Sequence, residues 1–432
     1  MKGERAMSTT TTRPRTGADG RESGALTARV SLGRVFAPVP LEFLLIASTA
    51  LLLTGFGIVM VTSATTATSI AGGKSPYNDG LQQGLFALVG VAAMFVVSRL
   101  PVRFFRRTGW IALIGAICLQ LLVFVPGLGY ESGGNRNWIR IAGFSAQPSE
   151  FLKLALALWI GMILYRKRAL LGRARHVVVP LVPVAALAMG TVLAGHDLGT
   201  VMILVLVMLG ALFFSPVNLR IFVLPLILGV IGVVGYAVTS ENRMKRILSL
   251  FDENCDYLNE CYQATHGIWG LAGGGIFGVG LGNSVEKYSW LPAAADDYIF
   301  AIVGEELGLL GCVVVLALFA TFAVGAFRVI RNSDDPFVKV AAGGITVWIL
   351  GQALVNIGVV LRVFPVLGVP LPFMSAGGSS LVAVLLACGV LLAFARSLPP
   401  DAGRGRAAKS VAPPRAKPGA KKRPAARAGR AK

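Results

Sequence analysis

The chain has 432 residues, is 55% hydrophobic and only 14% charged, and carries a formal net charge of +20. A mean hydropathy of +0.70 is too apolar for a soluble domain of this size, and apolar runs of about 20 residues recur, each long enough to span a hydrocarbon core. Much of the positive charge lies in the tails, with eleven Lys/Arg against one Asp over 401–432 and seven against three acids over 1–40; beside many spans this reads as disordered segments drawn to anionic lipid headgroups, not as nucleic-acid binding.

The first apolar run, 42–62, follows a long polar tail and reads as an uncleaved span rather than a signal peptide. Further runs lie at about 83–98, 109–127, 149–165, 177–194, 198–214, 219–238, 298–325, 338–361 and 379–396, which makes ten. An even number puts both tails on one side. Arg99, Arg103, Arg106 and Arg107 follow span 2; Arg166, Lys167, Arg168, Arg173 and Arg175 follow span 4; Arg220 follows span 6; Arg328, Arg331 and Lys339 follow span 8. All fall on the tail side, which the positive-inside rule makes cytoplasmic. The expected fold is an all-α polytopic membrane protein of about ten transmembrane helices, both termini cytoplasmic. Its parts are a tail over 1–40, a membrane domain over 41–397 and a tail over 398–432. A large extracytoplasmic loop, 239–297, separates spans 7 and 8.

Cys118, Cys312 and Cys388 lie in apolar runs and read as packing residues. Cys255 and Cys261 share the large loop and can pair in an oxidising compartment. With His266 they form Cys-x5-Cys-x4-His, an unusual zinc spacing, so a disulfide is the favoured reading.

Polar motifs gather on the expected outer face. Arg136 and Trp138 precede Gln147-Pro148-Ser149-Glu150 and Lys153. Pro followed by an acid suits a helix start, and Glu150 and Lys153 stand i,i+3; they form either an intramembrane salt bridge or, with Arg136, part of a phosphate site. Asp197, in the short turn His196-Asp197-Leu198-Gly199-Thr200, caps a helix or enters the site directly. The glycines at 273–275, 278, 280 and 282 match no phosphate-binding fingerprint and favour a tight re-entrant turn. Gln352 and Asn356 share a helix face, as interhelical glue or as site residues. Irregular backbone then follows from Pro370 to Ser380, through Ser375, Gly377, Gly378 and Ser379; at membrane depth such backbone is tolerated where it is buried in protein or lines a wet cavity. Asp296 and Asp297 meet the start of span 8, with Glu305 and Glu306 two turns further in. Charges this close to lipid cost about 2.5–3.5 kcal/mol each on insertion scales.

In this order the motifs resemble the SEDS family, and its cell-division branch rather than its elongation branch. The resemblance covers about 42–396. It rests on Gln147-Pro148-Ser149-Glu150, Gly280-Leu281-Gly282-Asn283-Ser284 with Lys287, Asp297-Tyr298-Ile299-Phe300 with Gly304-Glu305-Glu306, and Pro370-Leu371-Pro372-Phe373 through Ser380. It implies a glycosyltransferase that polymerises peptidoglycan from lipid II outside the cytoplasmic membrane at the division septum. The implied partners are a class B penicillin-binding protein transpeptidase and other divisome membrane proteins. The family's essential acid falls on Asp297. Ala293 and Ala295 stand where the family often has Glu and His, and Asp296 where it often has Thr. Asn137 takes the place of an Arg before Trp138, His196 that of a Pro, and Arg362-Val363-Phe364-Pro365 that of Gly-Leu-Leu-Pro.

Glycosyl transfer requires a hydroxyl to lose a proton and a pyrophosphate to leave. A carboxylate at Asp297 suits a general base, and partial burial and Asp296 should raise its pKa. The bland alternative is an acid pair at a helix N-terminus. Arg136, Lys153, Lys287 and Arg362 are candidate cations for the leaving group, alongside a divalent cation, Mg2+ or Mn2+, held partly by Asp297 or Asp296. Trp138, Glu150, Asp197, Ser375, Gly377, Gly378 and Ser379 complete the expected substrate site. Glu305 and Glu306 read as structural. A lipid II flippase and a non-catalytic divisome scaffold are the competing functions.

Overall fold

A computed structural model describes residues 39–399 apart from 142, 239–240, 251–254 and 260; the expectations for the tails fall almost wholly outside that range. Nine of the described helices are long and apolar enough to cross a membrane: α1 (Leu41–Ala71), α2 (Asn78–Val97), α3 (Val102–Leu121, extended by a short turn), α4 (Pro148–Arg166), α5 (Ala174–Leu193), α7 (Leu219–Val238), α10 (Ile299–Asn332), α11 (Pro336–Val360) and α12 (Gly378–Arg396). The tenth expected span is α6 (Leu198–Phe213), of 16 residues. At 1.5 Å per residue it is about 24 Å long, short of a roughly 30 Å hydrocarbon core. Its N-terminus lies below other chain, because Gly199 lets the Leu367 carbonyl rest against the helix.

Helices α4, α11 and α12 form the centre. Burial runs along 83% of the core window of α4 but only 17% of that of α7. The outer helices turn unbroken apolar surface outward, as lipid-facing helices do. Small residues permit close approach in the centre: at Gly344 the facing atoms are the Ala157 and Ala211 methyls.

The end where α4, α6, α10 and α12 begin carries two structured excursions. Residues 129–146, expected as plain loop, form a small antiparallel sheet of β1 (Gly129–Ser132), β2 (Asn135–Ile141) and β3 (Phe144–Ala146) in the order β1-β2-β3. Gly133 and Gly134 both have positive φ, the requirement of a tight hairpin turn. The large loop contains α8 (Glu241–Leu248) and α9 (Tyr262–Gly274). The glycine run after α9 makes a turn against a break in α10 at Gly308, where φ is +68°. Backbone N–H groups of Val279 and Gly280 donate to the Glu305 and Glu306 carbonyls, and those of Leu309 and Leu310 donate to Gly275 and Ile276. A Cβ on Gly278 would overlap the Glu306 carbonyl. The turn reading of these glycines fits this geometry; a phosphate cradle does not.

Candidate active site

A cavity of about 620 Å³ opens at this end. Thr65 and Thr68 of α1, Asp79 and Gln83 of α2, Trp138 and Ser145 of the sheet, Lys287, and Ala293 to Asp296 line it. Gly377 and Gly378 bring the N-terminus of α12 to its wall, where helix backbone N–H groups favour an anion. Glycine is required at 378, since a Cβ there would overlap the Phe86 ring.

The adjacent acids diverge. Asp296 lines the cavity; Asp297 is not among the lining residues, and its Oδ2 stands against Gly368. The Asp297 main chain is fixed on both sides: its N–H donates to the Ala293 carbonyl (3.0 Å), and its carbonyl accepts from Asn356 Nδ2 (2.7 Å). Asn356 also donates to the Val369 carbonyl at 2.8 Å, so one side chain sets the distance between the acid and the 366–369 segment. Burial first, then the charges of Asp296 and Asp197, push the Asp297 pKa up to about 7, against an opposing pull from Arg246 of α8. Asp296 is pushed up to about 6, by enclosure and by Asp79. Its side chain is open to the cavity's water, so this shift is weaker support than that of the half-buried Asp297.

Because its folded pKa lies above the unfolded value, Asp297 stabilises the fold at low pH and loses that contribution as pH rises through about 7. Asp297→Asn should therefore melt above wild type at pH 8 and close to it at pH 4. Equal melting temperatures at pH 8 would contradict the shifted pKa.

The other expected site residues divide between cavity and framework. Trp138, Lys287, Gly377 and Gly378 line the cavity. Arg136 does not; its Nε donates to the Val123 carbonyl. Lys153 is sealed inside the bundle, donating to Glu150 Oε1 and Gln352 Oε1, both at 2.8 Å; the expected Glu150–Lys153 ion pair forms, away from the cavity. Asp197 caps α6 through Thr200 N (2.8 Å) and accepts from Gln147 Nε2 (3.1 Å). Ser379 Oγ accepts from Gln147 N, and Ser375 Oγ from Leu371 N. Arg362, with φ +59°, reaches the Ser249 carbonyl and Cys261 Sγ. Of the four cations expected for the leaving group, only Lys287 is on the cavity wall, and its ammonium is buried against Glu306, Ser63 Oγ and the Gly282 carbonyl.

Glu305 accepts from Ser284 Oγ and Val285 N, while Glu306 pairs with Lys287 at 3.1 Å and accepts from Ser63 Oγ at 2.6 Å. Both brace the loop behind the cavity.

Sequence reasoning missed Asp79, Gln83, Arg246 and the positioning role of Asn356. Gln83 donates to the Ser375 carbonyl (3.1 Å) and accepts from Gly377 N (3.3 Å). These bonds join positions almost 300 residues apart, which no local pattern reveals. Arg246 was legible only as part of the basic face of a short helix in the large loop.

Cys255 and Cys261 form a disulfide with Cα atoms 6.1 Å apart, within the usual range. His266 lies between Glu286 Oε2 (2.7 Å) and Tyr257 OH (2.9 Å), and with both sulfurs tied in the disulfide neither is a thiolate for zinc. Alkylation of unreduced, denatured protein should label Cys118, Cys312 and Cys388 alone; label on Cys255 or Cys261 before reduction would contradict the pairing.

Fold and site together define a multi-pass helical membrane protein with a carboxylate-bearing polar site at one end of its bundle. The family model for cell cycle proteins of the FtsW, RodA and SpoVE type matches residues 43–398, and the chain belongs to that family. It is 38% identical over 376 residues to the "Probable peptidoglycan glycosyltransferase FtsW" of Mycobacterium tuberculosis, covering 87% of this chain and 72% of that one. It is 36% identical to the stage V sporulation protein E of Bacillus subtilis, covering 82% of this chain and 97% of the relative. A solved chain from a peptidoglycan synthase complex shares the fold, with a TM-score of 0.65 at 22% identity over 81% of this chain and 96% of that one.

Proposed function

We propose that the protein is a peptidoglycan glycosyltransferase that polymerises lipid II at the outer face of the bacterial cytoplasmic membrane, at the division septum. The observation that carries this reading is Asp297, a half-buried carboxylate raised to about 7 beside a polar cavity, in a chain of this family. The end opposite the site gathers the basic loops, which supports placing the site outside.

Asp297 accepts the proton of the attacking sugar hydroxyl. The freed oxygen bonds the anomeric carbon as the bond to the lipid pyrophosphate breaks. The α12 N-terminus, from the cavity, and Arg246, from α8, meet the leaving negative charge. Among the described residues no three His, Cys, Asp or Glu side chains converge as metal ligands. A Mg2+ or Mn2+ ion, if bound, would be held partly by Asp297 or Asp296, with substrate phosphates completing its shell, an arrangement hard cations favour. Such an ion would neutralise the departing pyrophosphate.

The solved relative comes from a complex coordinating polymerization and crosslinking, which supports a class B penicillin-binding protein as partner here. Detergent micelles separate the competing functions, having no bilayer to flip across. Supplied with lipid II and the transpeptidase partner, the protein should yield glycan strands resolvable on a gel. Lipid II left entirely monomeric would sink the proposal in favour of a flippase or scaffold.

A further inference from the structure

At the end opposite the active site, where α6 and α10 finish and α11 begins, lies a second cavity of about 700 Å³. Its apolar wall is aromatic: Phe213 and Phe214 stand edge to face at 5.0 Å, and Phe214 meets Phe327 at 5.9 Å. Phe213 is 63% and Phe327 44% exposed, on helices that face the hydrocarbon. The polar wall holds Arg331, Lys339 and Asp334.

Lys339 is the unusual residue. It is half-buried, and no side-chain partner for its ammonium exists among the described residues. The nearest acid in sequence, Asp335, is engaged elsewhere: it takes the Arg106 guanidinium and caps α11 at Phe337 N. Asp334 is exposed. Arg331 lines the same wall, and Lys339 supplies its unpartnered ammonium.

We propose that this crevice between α6 and the α10–α11 turn binds one anionic phospholipid, its phosphodiester at Lys339 and its acyl chains along Phe213 and Phe327. A basic pocket between helices at the headgroup level is suited to such a lipid. The phosphodiester meets the Lys339 ammonium, and the exposed rings continue the lipid-facing surface. A free anion would leave the rings bare. The site is independent of the glycosyltransferase reading.

The test uses the full-length chain, delipidated in neutral detergent, with native mass spectrometry over a titration of phosphatidylglycerol or phosphatidylcholine. The tails are unchanged in every sample, so differences between variants report the crevice. Wild type should hold one phosphatidylglycerol tightly, with phosphatidylcholine weaker and inorganic phosphate unable to displace the bound lipid. Lys339→Gln should weaken that first lipid about fivefold, the contribution of one lysine at a charged membrane surface. Phe213→Ala, which leaves every charge in place, should weaken it too and serves if Lys339→Gln misfolds. The proposal is overturned if both variants keep wild-type lipid retention, if phosphatidylcholine binds equally well, or if phosphate displaces the lipid.

Discussion

Replacing Asp297 with Asn should lower the rate of lipid II polymerisation by about 10²- to 10⁴-fold, the usual contribution of a positioned general base. The substitution keeps the shape of the side chain and removes only its ability to take a proton. The main-chain bonds to Ala293 and Asn356 that hold the residue do not involve the carboxylate. Asp296→Asn should cost far less, because Asp296 acts on Asp297 through its charge, a smaller cause of the raised pKa than burial. Gel-resolved glycan product per unit time measures both. Comparable losses in the two variants would mean that the acids act as a pair and would remove the distinction between them.

The second large effect is on stability. Lys287 and Glu306 are 3% and 0% exposed and bonded at 3.1 Å, with Ser63 and the Gly282 carbonyl completing the set. Removing one partner of a buried pair leaves an uncompensated charge and costs about 3–5 kcal/mol. Lys287→Met should therefore lower the melting temperature in detergent steeply. Adding Glu306→Gln to it should recover much of the loss, since the amide keeps a partner for Ser63 without needing a cation. If Lys287→Met melts like wild type, the pair is not structural, and the lysine's place on the cavity wall must account for it.

Much of this architecture is readable from the chain. Hydropathy locates nine long spans and the short α6, and the charge of the loops separates the two ends. The glycines after α9 read as a turn and form one; Asp197 and Glu150–Lys153, placed in the expected substrate site with a cap and an ion pair as the alternatives, take the alternatives. The resemblance selects Asp297 from four neighbouring acids. Sequence pattern does less well at stating which way a side chain points. Hydropathy fixes depth, but successive residues on a helix point about 100° apart. Lys153 is therefore found at plausible depth yet turned into the bundle, while Arg136, on strand β2, is turned to the Val123 carbonyl. Asp296 and Asp297 share a depth and face different surroundings because the turn before α10, in which both N–H groups bond the Ala293 carbonyl, sends their side chains apart. The sheet at 129–146 was missed because its strands are short and its hairpin signal, Gly133-Gly134, sits in an otherwise mixed sequence. Asn356 and Gln83 set the site through bonds to distant main chain, visible only once the helices are packed.

The pH dependence of polymerisation at lipid II well below saturation, where kcat/KM reports the free enzyme's titration, bears most directly on Asp297 as the base. A base must be unprotonated to act, so the rate should rise with pH and reach half its maximum near pH 7, where burial and Asp296 have placed the Asp297 pKa. In Asp296→Asn, which lacks the neighbouring charge, the midpoint should move to lower pH. A rate independent of pH between 5 and 9, or a midpoint that does not move in Asp296→Asn, would contradict the assignment.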